Sequence, residues 1–164
     1  MFYSGMIPQG VEYVENLRAR YDGIKRNPWD EAECGHHYAR AMSSWSSVVA
    51  LSGFHYEGDR AHVMALPRLP HDNFHCFWAT GTGWGTFTLT RPQSGGVAFT
   101  IQTLAGTLPC QSCTLAATGS RATASLASKK LTTRMEKNKE QTRVYLADLI
   151  QLHEGEQLEI EIVG

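Results

Sequence analysis

Long hydrophobic runs are missing from this sequence, as are a dense set of cysteines and an excess of charge of either sign. No apolar stretch approaches the ~20 residues that cross a bilayer, so no membrane span is expected. Fifteen Lys and Arg face sixteen Asp and Glu, for a formal net charge of -1. That balance lacks the basic footprint of a nucleic-acid binder or of a polybasic membrane surface. The four cysteines, Cys34, Cys76, Cys110 and Cys113, are too scattered for a disulfide scaffold in 164 residues. A reducing compartment is therefore expected, and the cytoplasm as the location. The opening MFYSGMIPQG has neither the basic n-region nor the apolar h-region of a signal peptide. It also lacks the polar lead-in of a domain start, so Met1 is expected to be internal to a longer frame.

What is present divides into two textures, with no internal repeat. Val11, Val14, Leu17 and Tyr21 recur at three- and four-residue steps, which predicts a helix ended by Asp22-Gly23. A second helix is expected from near His36 through Ala41, Trp45 and Val48 to about Leu51, stopped by Ser52-Gly53. After Gly53 the chain reads as strands: 62–66, 74–78, 86–90, 97–104, 144–146 and 158–163 are short and rich in β-branched or aromatic residues. In the last of these, Leu158, Ile160 and Ile162 face one way and Glu159 and Glu161 the other, the pattern of a half-buried strand. The stretch 116–138, rich in Thr, Ser, Ala and Lys, is expected to be a surface loop or a poorly packed insertion. The division expected is 1–53 helical and 54–164 β-rich.

The segment Arg26 to Trp45 has a mixture that an ordinary amphipathic helix would separate onto two faces. Trp29, Asp30, Glu31, Glu33, Cys34, His36, His37, Tyr38 and Arg40 fall within twelve positions. Sugar pockets need this combination: carboxylates and guanidinium groups bond the hydroxyls, while rings lie against the apolar C–H face. Glu33 and His37 are four apart, as are His36 and Arg40, so each pair can share a helix face. Glu31 can reach Arg40 if its loop folds back over the helix. Read as chemistry alone, Glu31 and Arg40 serve equally well as a structural ion pair.

The string N-P-W-D-E-x-E-C-G-x-H-Y-A-R-A-M, Asn27 to Met42, resembles the closing part of the catalytic barrel in glycoside hydrolase family 116, the non-lysosomal glucosylceramidases and related bacterial β-glucosidases. Arg20-Tyr21-Asp22-Gly23 is also similar to that family, and Ser52-Gly53-Phe54-x-Tyr56 and Gly83-Trp84-Gly85 are similar to its longer bacterial members. The resemblance implies a mixed α and β fragment: C-terminal helices of an (α/α)6 barrel, 1–53, followed by an antiparallel β region, 54–164. It implies that Glu31 and Arg40 hold sugar hydroxyls in the non-reducing subsite. Position 36, often Asp in the eukaryotic enzymes, is His here. Retaining glycosidases work with two carboxyl groups about 5–5.5 Å apart, and the resemblance places both upstream of the string. The expected substrate is a β-linked glycoside, the expected partner is the remainder of the catalytic barrel, and no cofactor, metal or nucleic acid is expected. The fragment alone should be inactive.

Other readings compete. The β-rich half with Trp78 and Trp84 is compatible with a non-catalytic carbohydrate-binding or accessory module, although core packing is the commoner fate of such tryptophans. Cys34, His36 and His37 offer three metal-ligand types without a fourth. Cys110-Gln111-Ser112-Cys113 is a lone C-x-x-C without a second pair or a βαβ context, compatible with a small metal domain but more simply two strand cysteines. Lys129, Lys130, Lys137 and Lys139 read as a solvated positive face.

Overall fold

Alternating side chains and threonine-rich outer positions give this chain its dominant element, the β-strand. The structure, a computed structural model, describes residues 1–27, 45–69, 72–93 and 95–164. These form two compact units, Met1–Leu51 and Ser52–Gly164.

In the first unit, α1 spans Ile7–Arg18. It begins before the Val11 periodicity because Pro8 lies in its first turn, where a fixed φ and a missing N–H cost nothing. It stops short of Asp22 because the carboxylate there accepts hydrogen bonds from the backbone N–H groups of Ile24 (3.0 Å) and Lys25 (2.8 Å). Such a local side-chain turn competes with helix. These bonds, that from Lys25 foremost, hold the Asp22 carboxyl below its ordinary pKa. The second helix, α2, spans Trp45–Ser52; the part expected from His36 lies outside the described residues.

The described residues of the second unit form ten strands: β1 (Phe54–Glu57), β2 (His62–Ala65), β3 (Asn73–Ala79), β4 (Gly83–Thr90), β5 (Val97–Leu115), β6 (Arg121–Leu126), β7 (Lys129–Leu131), β8 (Thr133–Asn138), β9 (Gln141–His153) and β10 (Gln157–Val163). The 19-residue β5 is shared by two groups of strands. Its first part pairs with β4 and β10, giving the order β3-β4-β5-β10-β6-β7. Its second part, from Thr107, pairs with β9 and β2, giving β1-β2-β5-β9-β8. Between them Gly106 has φ +76, a conformation that side chains other than glycine's resist. The two groups share one core. Phe54 of β1 lies 6.1 Å from the Trp78 ring of β3 and 5.7 Å from that of Phe87 of β4, centroid to centroid. Leu108, Leu152, Leu158, Ile160 and Phe99 complete it, each 1% exposed or less.

Strands make up 53% of the described residues and helices 18%, with only two α-helices. The expectation of C-terminal helices of an (α/α)6 barrel is thereby overturned. A helical toroid needs long helices with a buried apolar stripe. In α1 only Gly10 is buried, while Leu17 and Tyr13 are exposed. Periodicity announced a helix correctly and said nothing about its partners. The β region is also mixed rather than purely antiparallel, because β2 runs parallel to β5 from His62↔Ser112 to Ala65↔Leu115.

The stretch 116–138 is likewise corrected, from loop to strands β6, β7 and β8. Its small residues fill the inward positions: Ala117 and Ala124 are buried, and β6 pairs with the bulky Leu158–Ile162 stretch of β10, which supplies the volume. Thr and Ser on the other parity suit a solvated strand face.

Candidate functional site

Glu31 and Arg40, together with Trp29, Asp30, Glu33, Cys34, His36, His37 and Tyr38, lie outside the described residues. The groups that the structure does bring together belong to the β unit.

There a polar cluster forms on one row of the β1-β2-β5-β9-β8 group. Register places Arg134, Tyr145, Ser112, His62 and Glu57 side by side on five adjacent strands. His62 Nδ1 lies 2.8 Å from Ser112 Oγ and 3.1 Å from the Ser112 carbonyl, and its Nε2 lies 3.1 Å from Thr114 Oγ1. Arg143 donates to Ser112 Oγ at 3.3 Å, and its guanidinium lies 4.9 Å from the centre of the Tyr145 ring. Arg134 lies over the same ring at 4.2 Å and bonds Glu136, which also accepts from the Tyr145 hydroxyl at 2.8 Å. Burial, and then the positive charge of Arg143, push the His62 pKa down.

A serine beside a histidine invites a nucleophile–base reading. The surroundings do not favour it. Ser112 and His62 are 2% and 3% exposed, which leaves no room for a reacting carbonyl. The second imidazole nitrogen faces Thr114, where a triad would place its carboxylate. Glu57, next in the row, instead pairs with Arg60 at 3.7 Å. The cluster fixes strand register through satisfied polar groups, with the Arg143 Nε hydrogen left unpartnered.

Both cysteines of the C-x-x-C belong to β5. Cys110 and Cys113 flank a bulge at which β9 carries extra residues against β5, and both are buried in the core with Sγ atoms 3.6 Å apart. The Cys110 contact and burial raise the Cys113 pKa well above its usual value. Such thiols are poor nucleophiles and poor metal ligands, and among the described residues no group of three His, Cys, Asp or Glu is arranged to hold a metal ion.

The two tryptophans separate. Trp78 is core, 1% exposed, and donates from Nε1 to the Gln102 carbonyl at 3.0 Å. Trp84 is 53% exposed on the outer side of β4. On that side the β3-β4-β5-β10-β6-β7 group is polar. At its β6–β7–β10 end lies a cavity of about 410 Å3 lined by Arg121, Thr123, Ser125, Lys130, Glu159 and Glu161 among others. Ser125 donates to Glu159 at 3.2 Å and Gln157 donates to its other oxygen at 2.9 Å. Lys130 thus belongs to a concave surface of mixed sign, more specific than the uniform positive face expected from the lysine count. Sequence reasoning found neither this surface nor the His62 cluster. The alternation of Glu159 and Glu161 in β10 was the available signal for the surface, and the register that joins them to other strands has none.

No described helix is long and apolar enough to cross a membrane. A scan against protein-family models and a search of the curated proteins found no match to the chain.

Proposed function

We propose that this chain supplies the C-terminal portion of a retaining β-glycosidase of the β-glucosidase or glucosylceramidase kind. Glu31 accepts hydrogen bonds from the hydroxyls of a β-linked glycoside, and Arg40 donates to one of them. The observation that carries this reading is the sixteen-residue string Asn27–Met42, in which carboxylates, a guanidinium and rings are interleaved as a sugar pocket requires. The role is positioning: contacts that fix the sugar ring lower the barrier without taking part in bond making. The nucleophile and the acid/base belong to the upstream catalytic region, and the chain alone does not turn over substrate. The β unit has its own core, which fits a non-catalytic domain following the sugar-binding segment. The cytoplasm is the location we propose, supported by the buried thiols of Cys110 and Cys113.

A chimera tests this. The chain replaces the corresponding C-terminal portion of a family 116 β-glucosidase, and hydrolysis of an aryl β-glucoside is followed. Activity is expected in the chimera, with kcat/KM falling by about 10²-fold or more in Glu31→Ala or Arg40→Ala. A folded, active chimera indifferent to both substitutions would refute the assignment.

A further inference from the structure

The geometry points to a second carbohydrate site, distinct from Glu31 and Arg40: the outer face of the β3-β4-β5-β10-β6-β7 group binds a neutral, linear glucan chain. Register carries a continuous row across all six strands, Lys130–Ser125–Glu159–Thr100–Thr88–His75. At strand spacings of ~4.8 Å this row is about 24 Å long, room for about five pyranose rings. A parallel row, Gln157–Gln102–Thr86–Phe77, runs beside it. Trp84, opposite Ala79, continues the same parity one step further along β4.

Each part answers a need of the ligand. Sugar hydroxyls both donate and accept, and the rows offer carboxylate acceptors, hydroxyls, amides that do both, and an ammonium donor. Glu159 is held in place by Ser125 and Gln157 before any ligand arrives, so little ordering remains to be done on binding. The exposed ring of Trp84 suits the apolar C–H face of a pyranose.

Charge selects a neutral ligand. In the cavity at the far end Arg121 and Lys130 are balanced by Glu159 and Glu161, so neither a polyanion nor a polycation meets a field of one sign. The surface is a polar face rather than an apolar groove, which disfavours a hydrophobic peptide. This site does not depend on the glycosidase reading.

The 164-residue chain is run through native gels containing hydroxyethylcellulose, and titrated calorimetrically with a β-1,4-linked glucose hexamer. Retardation by the polymer and a measurable heat with the hexamer are expected. Trp84→Ala and Glu159→Ala should each weaken binding about tenfold, with Glu159→Gln in between, while Glu140→Ala in the β8–β9 turn should leave it unchanged. Near-UV circular dichroism verifies that each variant is folded. Migration unaltered by the glucan together with no heat would overturn the proposal. So would binding that survives both Trp84→Ala and Glu159→Ala, or retardation by heparin in place of the neutral polymer. An inactive chimera alongside intact glucan binding would count against the glycosidase assignment alone.

Discussion

Along the twelve residues of α1 the one buried position is Gly10, whereas along the seven of β10 Leu158, Ile160 and Ile162 are all but sealed from solvent. The first unit spans the string that resembles a sugar-binding segment. The second has a densely packed interior and little in its sequence that names a chemistry. The string that suggests an activity and the residues that form the densest core thus lie in different stretches. A short specific string can suggest an activity while disclosing nothing of the architecture around it.

The sharpest way to break this contrast is to remove core volume. Phe87 contacts Phe54, Phe74 and Phe99 with centroid distances of 5.7, 5.9 and 6.3 Å. Phe87→Ala should cost about 3–5 kcal/mol in urea unfolding. Leu17→Ala in α1, at an exposed site, should stay within about 0.5 kcal/mol. Equal effects would mean that α1 contributes as much to stability as the sheet. Next in size is Gly85→Ala in β4. A Cβ there would overlap the Gln102 carbonyl oxygen and press on Trp78 Nε1, which bonds that same oxygen. A loss of about 1–3 kcal/mol is expected, and an unchanged midpoint would show that β4 and β5 can part without penalty.

The smallest effect is a pH dependence. His62 has its folded-state pKa lowered by burial and by Arg143, so below the unfolded pKa of about 6.5 the unfolded chain binds a proton that the folded one refuses. Stability should therefore be fully present above that pH and decline as the pH falls from there toward the lowered folded value. Thermal melts between about pH 7.5 and 5 would detect this, and His62→Gln should flatten that part of the profile. An identical slope in the variant would place the titrating group elsewhere.

The strands were legible where parity and size agreed. Leu158, Ile160 and Ile162 alternate with glutamates, and a pattern of period two has one meaning. Residues 121–138 escaped because their one buried position is Ala124, too small to register as core until the bulk of β10 is seen opposite. The helix of the first unit was legible in kind and not in limits, since Pro8 and the Asp22 turn outweigh the Val11–Tyr21 spacing. Trp78 and Trp84 look alike in sequence, and only strand parity separates a core ring from a surface one. Register is not written locally: nothing near Glu159 announces Thr100 or Ser125, and nothing near His62 announces Ser112, fifty residues on. Both surface rows depend on such distant pairings.

The sharing of β5 between both groups of strands makes that segment a common spine. The inward positions of β5 change from odd ones (Phe99, Ile101, Thr103) to even ones (Leu108, Cys110) on either side of Gly106, so one residue added between Ile101 and Leu108 would put that change of parity out of step with the pairing of one end. The two groups therefore stand or fall together: amides of β5 in either half should share one slow hydrogen-exchange rate, and an added residue should be tolerated better in the connecting turns than within β5.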